Sequence, residues 1–441
     1  MALGTRRSAK LTLNLLGALA IGLLICACNE GEMASQRVTS LADTNPEGKT
    51  LIMIGQAVEP AVIRSMEDYV DGIEEVPAGF SFYLILSGDL QRTRDELATM
   101  QEFMGRYPDA ALHLAVGYGP EALGNVKESL FLLAGGFDPE LNALAEWLSS
   151  LNRPVLLRPL YEFDRACATY GTPDVYKPAY RYIVDSMRNA GVTNTRYVWH
   201  STGPGVPLDK GSLTLALASV SSSLGGILQP LIELEEGLFT TNLCPISNFY
   251  PGDGYVDFFA ISYWGHSLFG EGDEYALGIY EREARSMLDE ARRLGLELMI
   301  AEATPAYTGT NSGEDSLRWM HNFFDLIEEY DIRIAAYIAN EWVDEGGNWG
   351  SPMFGGFFPA DARIHAHEDI RQFWLQRTAK ERYRVPSAEE QAAILGVELQ
   401  PTALPWEGQP EPFRDTLRWP NCPPPLLPGT GGWCLPLIPG I

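Results

Sequence analysis

The chain alternates short apolar runs with stretches in which apolar residues recur every three or four positions. Eight runs of five to seven residues lie between residues 50 and 380. They begin at Leu51, Phe80, Ala111, Val155, Arg196, Asp257, Leu296 and Arg333. Because these runs are almost continuously apolar, we expect strands that are buried on both faces, as in a parallel sheet.

Amphipathic stretches between the runs have recognisable helix boundaries. One predicted helix begins near Asp174 and ends at Gly191, a second stops at Gly295, and a third begins at Glu314. Eight strands that each precede a helix predict an α/β fold of the (β/α)8 TIM barrel class. A doubly wound open sheet is the alternative, but no glycine-rich phosphate-binding turn follows the first run.

The N-terminal segment is typical of an export signal. Three basic residues precede the apolar run 11–25, which is too short to span a bilayer comfortably. Residues 25–28, Ile-Cys-Ala-Cys, resemble a bacterial lipobox, so we expect removal of residues 1–27 and lipidation of Cys28. An ordinary signal peptide is the alternative. The lipid would hold the protein on the cell envelope, facing the periplasm or the exterior, on the outer membrane in a Gram-negative host.

The rest of the chain divides by composition into three parts. Residues 28–49 are polar and predict a tether, residues 50–380 carry the strand–helix alternation of the barrel, and residues 381–441 form a proline-rich C-terminal tail. Residues 386–441 hold 12 of the 30 prolines. We expect this tail to be extended, without regular helix or sheet. A carbohydrate-binding module is an alternative, for which the segment is short.

The charge of the chain narrows the class of partner. The formal net charge is −26, and removal of residues 1–27 would take away three positive charges and no negative ones, leaving −29. Such a surface repels phosphate backbones and anionic lipid headgroups, so we expect neither nucleic acid nor an anionic ligand as the partner. A neutral substrate, bound by a monomer, is the simplest prediction.

Four cysteines remain beyond the signal and Cys28. Cys167, Cys244, Cys422 and Cys434 could form two disulfides in an oxidising compartment, with three possible connectivities. The short spacing makes Cys422 with Cys434 our first guess, which leaves Cys167 with Cys244. A zinc site is less favoured because no Cys-x-x-Cys spacing occurs. We predict neither a metal nor another cofactor.

Polar residues lie at or directly after the ends of the fourth to eighth runs. The carboxyl ends of the strands are where a barrel enzyme carries its catalytic residues. These polar residues include Arg158, Tyr161, Glu162, Trp199, His200, Tyr263, Trp264, Glu302 and Trp342. Glu162 and Glu302 would face one cleft from strands four and seven. A retaining glycosidase needs two such carboxyl groups, about 5 Å apart, one as nucleophile and one as proton donor. A glutamate paired with a barrel arginine for structural reasons is the alternative for either residue alone.

The motif VLLRPLYEFD at residues 155–164 and LMIAEAT at residues 298–304 resemble the fourth and seventh strands of glycoside hydrolase family 26. The similarity covers roughly residues 50–380. That family is best known for endo-β-1,4-mannanases and has its catalytic glutamates on these two strands. The resemblance implies that Glu162 is the general acid/base and that Glu302 is the nucleophile.

The resemblance also implies roles for other residues. Tyr263 would hydrogen-bond the nucleophile, Arg158 would lie beneath the two glutamates, and Trp342 would stack on a sugar ring. Trp199 and His200 would line the same face, although a packed tryptophan and an exposed histidine are equally plausible.

Two departures from the family pattern lie beside the acid/base. The family has histidine where this chain has Tyr161, and Asn-Gly where it has Asp164-Arg165. We therefore predict a retaining glycoside hydrolase of neutral β-linked polysaccharide, with endo-β-1,4-mannosidase as the first guess. A β-glucanase, a xylanase and a catalytically inactive glycan-binding surface lipoprotein are the alternatives.

Overall fold

A computed structural model describes most of the chain between residues 44 and 399 and two short pieces beyond it. The described residues are 44–45, 47–56, 60–118, 126–164, 169–204, 245–264, 274–305, 313–341, 361–385, 387–399, 426–428 and 434–436. Two compact units are distinguished, Met1–Leu404 and Pro405–Ile441. The predicted sites at Cys28, Cys167, Cys244, Trp342 and Cys422 lie outside the described residues.

Eight parallel strands close into a barrel, in which β8 pairs with β1. The strands are β1 Leu51–Ile54, β2 Gly79–Leu86, β3 Ala111–Tyr118, β4 Val155–Pro159, β5 Thr195–Ser201, β6 Phe258–Tyr263, β7 Glu297–Ala303 and β8 Ile334–Tyr337. Each of the eight apolar runs overlaps one of them, and almost every residue of these strands is buried. The predicted TIM barrel is confirmed.

Helices alternate with the strands along the chain. They are α1 Pro60–Ile73, α2 Leu90–Gly105, α3 Val126–Leu133, α4 Asp138–Ser150, α5 Pro173–Asn189, α6 Glu274–Arg293, α7 Glu314–Glu329, α8 Glu368–Thr378 and α9 Ala388–Leu395. Short 3-10 turns lie at Ile246–Phe249, Ile364–Ala366 and Glu381–Tyr383. Within the described part of the chain, no helix combines the length and the apolarity that crossing a bilayer requires.

Apolar side chains fill the barrel near the amino ends of its strands. Residues at the first inward positions of the strands, such as Leu51, Leu156 and Phe258, form one buried cluster. Ile394 and Leu395 of α9 belong to the same cluster, so this helix closes the amino-terminal end of the barrel. Polar chemistry is thereby restricted to the opposite, carboxyl-terminal end.

The helix α9 corrects the prediction that residues beyond 386 form no regular helix. Ser387 caps it, because its hydroxyl accepts a hydrogen bond from the Glu390 N–H, and Gly396 ends it in the left-handed conformation at φ 61°. Between Pro386 and Pro401 the sequence contains no proline. The proline-rich composition therefore begins after the helix, and the tail starts later in the chain than predicted.

The unit Pro405–Ile441 contains one described element, an antiparallel pair of three-residue strands, β9 Leu426–Pro428 and β10 Cys434–Pro436. This pair also departs from the prediction that the tail contains no sheet. Cys434 lies at the start of β10, opposite Pro428. Both disulfides stay predictions, since the other three cysteines lie outside the described residues.

Candidate active site

Glu302 lies near the end of β7 and accepts hydrogen bonds from three side chains. Each of the three lies on, or directly after, a different strand of the barrel. Arg158 on β4 donates from Nη1 to Oε1 at 2.6 Å, and Tyr83 on β2 donates its hydroxyl to the same oxygen. Gln56, just after β1, donates from Nε2 to Oε2 at 3.1 Å. Glu302 is only 2% exposed. All three partners donate, which is the set of contacts that a carboxylate anion satisfies.

A shift in strand register turns Glu302 toward the inside of the barrel. Along β6 and β7, Ile261 pairs with Ile300, but the next β6 residue, Ser262, pairs with Glu302. Ala301 belongs to the apolar cluster inside the barrel. The extra residue of β7 thus lets two consecutive side chains, Ala301 and Glu302, face inward, which regular alternation would forbid.

Burial and the neighbouring charge shift the pKa of Arg158 in opposite directions. Its guanidinium is fully buried and forms an ion pair with Glu302. Burial alone would lower the pKa of Arg158, but the nearby Glu302 charge and Tyr83 outweigh it and raise that pKa. Burial, followed by the Glu302 charge, raises the pKa of the Tyr83 phenol well above its ordinary value. Tyr83 therefore keeps its proton and remains a donor to Glu302.

Glu162 follows β4 on a strained turn of the backbone. Leu160 has φ 48° and Glu162 has φ 52°, so two non-glycine residues adopt the left-handed conformation on either side of Tyr161. Such conformations cost about 1–3 kcal/mol each and are concentrated at functional sites. The Thr169 hydroxyl donates to the Glu162 carbonyl at 3.0 Å. The Glu162 side chain is 6% exposed, and its Oε1 accepts from the Ser262 hydroxyl at 3.3 Å.

A chain of hydrogen bonds connects the two glutamates through three buried residues. Arg158 Nη1, which contacts Glu302, also lies 3.1 Å from His200 Nδ1 on β5. His200 Nε2 lies 3.0 Å from Ser262 Oγ on β6, and Ser262 in turn contacts Glu162. Arg158, His200 and Ser262 are each 0% exposed. We refer to these three residues as the relay.

Two glycines allow the close contacts that build this end of the barrel. A Cβ atom on Gly203, where φ is 85°, would lie 2.0 Å from the Ser262 carbonyl oxygen. A Cβ atom on Gly117 would lie 2.9 Å from the Tyr161 ring. Either substitution would push a site residue out of place, so the sequence needs glycine at both positions.

Tyr161, which stands where the family has histidine, packs against Tyr83. Their ring centroids lie 4.9 Å apart, and the Arg158 guanidinium carbon lies 5.3 Å from the Tyr83 ring centre and 5.7 Å from that of Tyr161. Both rings therefore lie close to the cation that holds Glu302, which favours the cation electrostatically.

Asp164, the second departure, is buried at the junction of β4 and β5. Its Oδ2 accepts from the Ser201 hydroxyl at 2.5 Å, and its Oδ1 accepts from the Thr202 N–H at 2.8 Å. Burial raises the pKa of Asp164, although these two hydrogen bonds oppose the shift. Asp164 thus ties the segment after Glu162 to the end of β5.

The structure corrects two of the predicted site residues. The Tyr263 hydroxyl donates to Glu281 of α6, and the ring packs on Trp319, so the prediction that Tyr263 hydrogen-bonds Glu302 is wrong. Trp199 is 0% exposed and stacks on Phe163 at 5.0 Å, so it does not line the cleft. In both cases the neighbouring strand residue faces inward instead, because side chains alternate along a strand.

The remaining predicted residues follow this alternation. His200 faces inward but is buried within the relay, so the alternative of an exposed histidine is also wrong. Trp264 is half-buried directly after β6, where its carbonyl accepts from the Trp319 indole at 2.8 Å. Its contact with a substrate stays a prediction.

Sequence reasoning missed Gln56, Tyr83 and Ser262. Tyr83 and Ser262 lie inside apolar runs, where a tyrosine or a serine is usually part of the core, and Gln56 follows the first run by one residue. Position was the available signal for Gln56 and Ser262, which lie near the carboxyl ends of predicted strands. Tyr83 lies in the middle of its run and had no such signal.

Among the described residues, no three His, Cys, Asp or Glu side chains come together in a way that could hold a metal ion. The groups that contact one another in the described site are carboxylates, hydrogen-bond donors and aromatic rings.

Comparison with known proteins gives few matches in sequence and several in fold. No family model matches the chain. A β-1,3-xylanase from Alcaligenes sp. is 23% identical over 349 residues, which are 75% of this chain and 63% of that relative. The chain therefore spans less than two thirds of the length of this curated relative.

Solved structures similar to the chain include several family 26 mannanases. A modular endo-β-1,4-mannanase from Cellulomonas fimi is 17% identical, with a TM-score of 0.49 over 82% of this chain and 77% of that one. A glycoside hydrolase family 26 β-mannanase from Bacteroides ovatus is 15% identical, with a TM-score of 0.47 over 79% of this chain and 96% of that one. The YdhT protein of Bacillus subtilis is 14% identical, with a TM-score of 0.45 over 74% and 91%.

Proposed function

We propose that this chain is a retaining glycoside hydrolase, similar to family 26, that cleaves a neutral β-linked polysaccharide. One observation carries the proposal: Glu302 is buried and held by three donors, and a chain of hydrogen bonds joins it to Glu162. If Glu302 served only as the structural partner of a barrel arginine, no second carboxyl group would need to be coupled to it at the same end of the barrel.

Glu302 is the proposed nucleophile. Its contacts with Gln56, Tyr83 and Arg158 fix both oxygens and leave the group an acceptor in every contact. Preorganisation of this kind removes the cost of orienting the nucleophile during the reaction.

Glu162 is the proposed general acid and base. In the first step a Glu302 oxygen bonds to the anomeric carbon, the glycosidic C–O bond breaks, and the Glu162 proton passes to the leaving oxygen. In the second step Glu162 takes a proton from a water molecule, whose oxygen bonds to the anomeric carbon and releases Glu302. One water is consumed for each bond cleaved, and the anomeric configuration is retained.

Two candidate sugars have support. Mannan is our first choice because the motifs around Glu162 and Glu302 resemble those of mannanases. Xylan is the second, because the curated relative is a β-1,3-xylanase. The net charge of −26 favours a neutral polymer in both cases.

Substitution of the nucleophile tests the proposal. We expect Glu302→Ala to release no product from mannan, xylan or β-glucan oligosaccharides while it still binds the substrate of the unmodified protein. Glu297→Ala, at the opposite end of β7, is the matched control and should retain activity. Proton NMR of the first product of the unmodified protein should show the anomer of the substrate. Binding without hydrolysis by the unmodified protein would instead support the inactive glycan-binding alternative.

We further propose that the protein is exported and anchored through lipid on Cys28. The support is the lipobox-like sequence at residues 25–28. Globomycin, which inhibits the lipoprotein signal peptidase, should cause an unprocessed form to accumulate, and Cys28→Ala should abolish labelling by a radioactive fatty acid. Labelling of the Cys28→Ala variant would reject this anchor.

A further inference from the structure

Each hydrogen bond of the relay has a donor and an acceptor that the chemistry of the three side chains determines. A guanidinium group only donates, so the contact between Arg158 Nη1 and His200 Nδ1 requires that nitrogen to accept. The neutral imidazole then carries its proton on Nε2 and donates it to Ser262 Oγ. With its oxygen occupied as an acceptor, the Ser262 hydroxyl has its own proton to donate to Glu162 Oε1.

We infer that His200 and Ser262 are positioning residues that orient the Glu162 carboxyl group for proton transfer to the leaving group. The inference rests on the proposed function. The Ser262 hydroxyl donates to Oε1, and an oxygen that accepts this bond is disfavoured as the site of the acidic proton. The Glu162 carboxyl group is thereby held through Oε1 in one orientation for proton transfer.

Burial stabilises the hydrogen bonds of the relay in this arrangement. All three relay residues are 0% exposed, so bulk water cannot replace a donor or reorient the Ser262 hydroxyl. The relay also crosses three consecutive strands, β4, β5 and β6, whose spacing the sheet fixes. The close approach of Gly203 to the Ser262 carbonyl holds the serine backbone from the other side.

A purely structural role is the competing explanation, since buried polar side chains need hydrogen-bond partners in any protein. The two explanations differ in how activity depends on the leaving group. A residue that only maintains the fold affects all substrates alike. A residue that positions the acid affects mainly substrates whose leaving group needs a proton.

The test compares Ser262→Ala with Ser262→Thr on aryl β-glycosides of the sugar that the unmodified protein cleaves. For Ser262→Ala we expect kcat/KM to fall about 10- to 100-fold with a phenyl leaving group and less than about 3-fold with 2,4-dinitrophenyl. Ser262→Thr retains a hydroxyl and should restore most of the loss. Ser129→Ala, which removes another fully buried serine hydroxyl that is not part of the relay, is the matched control and should change neither value.

His200 provides an independent readout. His200→Phe fills the site but removes both hydrogen bonds, and it should reproduce the leaving-group pattern of Ser262→Ala. His200→Gln keeps an amide that can accept from Arg158 and donate to Ser262, so it should lie closer to the unmodified protein. Thermal unfolding of each variant shows that it is folded.

Two results would overturn the inference: an equal loss on both leaving groups, or no loss with the phenyl glycoside in Ser262→Ala. Failure of the proposed function has a different signature, because the unmodified protein would then cleave none of the activated aryl glycosides.

Discussion

Tyr83 and Glu302 lie on strands β2 and β7, and the Tyr83 hydroxyl donates a hydrogen bond to the Glu302 carboxylate inside the barrel. Sequence similarity implied that this donor would be Tyr263 on β6. Because Tyr263 instead bonds Glu281 outside the barrel, the two tyrosines form a natural matched pair for mutation.

Tyr83→Phe removes one of the three donors to Glu302 without removing the ring. We expect kcat to fall about 100- to 1,000-fold, a range typical for the loss of one preorganised donor. Tyr263→Phe should leave kcat within about 2-fold of the unmodified protein. Steady-state kinetics on the same oligosaccharide measures both, and a larger loss in Tyr263→Phe than in Tyr83→Phe would contradict the assignment.

Glu162→Ala should hydrolyse natural oligosaccharides slowly because the leaving oxygen receives no proton. The loss should be about 100- to 10,000-fold, the range that general acid catalysis contributes. Substrates with a good leaving group should recover the first step, and added azide should accelerate the second. Absence of a glycosyl azide in the products, detected by mass spectrometry, would argue against the acid/base role.

Asp164→Asn tests the cost of burying a charged carboxylate beside the site. Burial raises the pKa of Asp164 in the folded protein, so its stabilising contribution is present below the unfolded value near pH 4 and is lost as the pH rises through the folded value. Asparagine can accept from the Thr202 N–H and donate to Ser201. Tm of Asp164→Asn relative to the unmodified protein should therefore increase from pH 4 to pH 7, as calorimetry would measure. A relative Tm that decreases over that range would contradict the sign.

Leu395→Ala tests whether α9 is part of the barrel core. Leu395 is 0% exposed within the apolar cluster, and its truncation should lower the free energy of unfolding by about 2–5 kcal/mol. Leu130→Ala, which truncates a leucine that is 54% exposed on α3, should change it by less than about 0.5 kcal/mol. Chemical denaturation provides both values, and similar values for the two variants would place α9 outside the core.

The barrel was predictable from the sequence because strand burial leaves a direct mark on composition. Parallel strands covered by helices must be apolar on both faces, and each of the eight apolar runs overlaps a barrel strand. The residues after β4 and near the end of β7, Glu162 and Glu302, followed from the same pattern.

The inward or outward direction of side chains was harder to predict. The register shift between Ile261 and Ser262 has no signature in the apolar pattern, yet it turns Glu302 inward. On β6, Ser262 faces the site and Tyr263 faces α6, the reverse of the prediction from family similarity. When both faces of a strand are buried, polarity no longer distinguishes them.

The helix α9 is not visible in the average composition of residues 386–441, because prolines dominate most of that segment. The prolines that lie beyond residue 400 concealed eight residues, Ala388–Leu395, with good helix propensity and a serine cap. The absence of proline between Pro386 and Pro401 is the feature that separates the helix from the tail.

The position of α9 in the chain has a consequence for biosynthesis. All eight barrel strands precede residue 338, whereas the residues that close the barrel floor, Ile394 and Leu395, are translated more than fifty residues later. A nascent or truncated chain that ends near residue 380 would contain every strand and would leave the apolar cluster open to water. Such an opening is a target for chaperones, and for self-association where chaperones are scarce. The maturation of this barrel therefore depends on the synthesis of a segment that contributes nothing to its sheet.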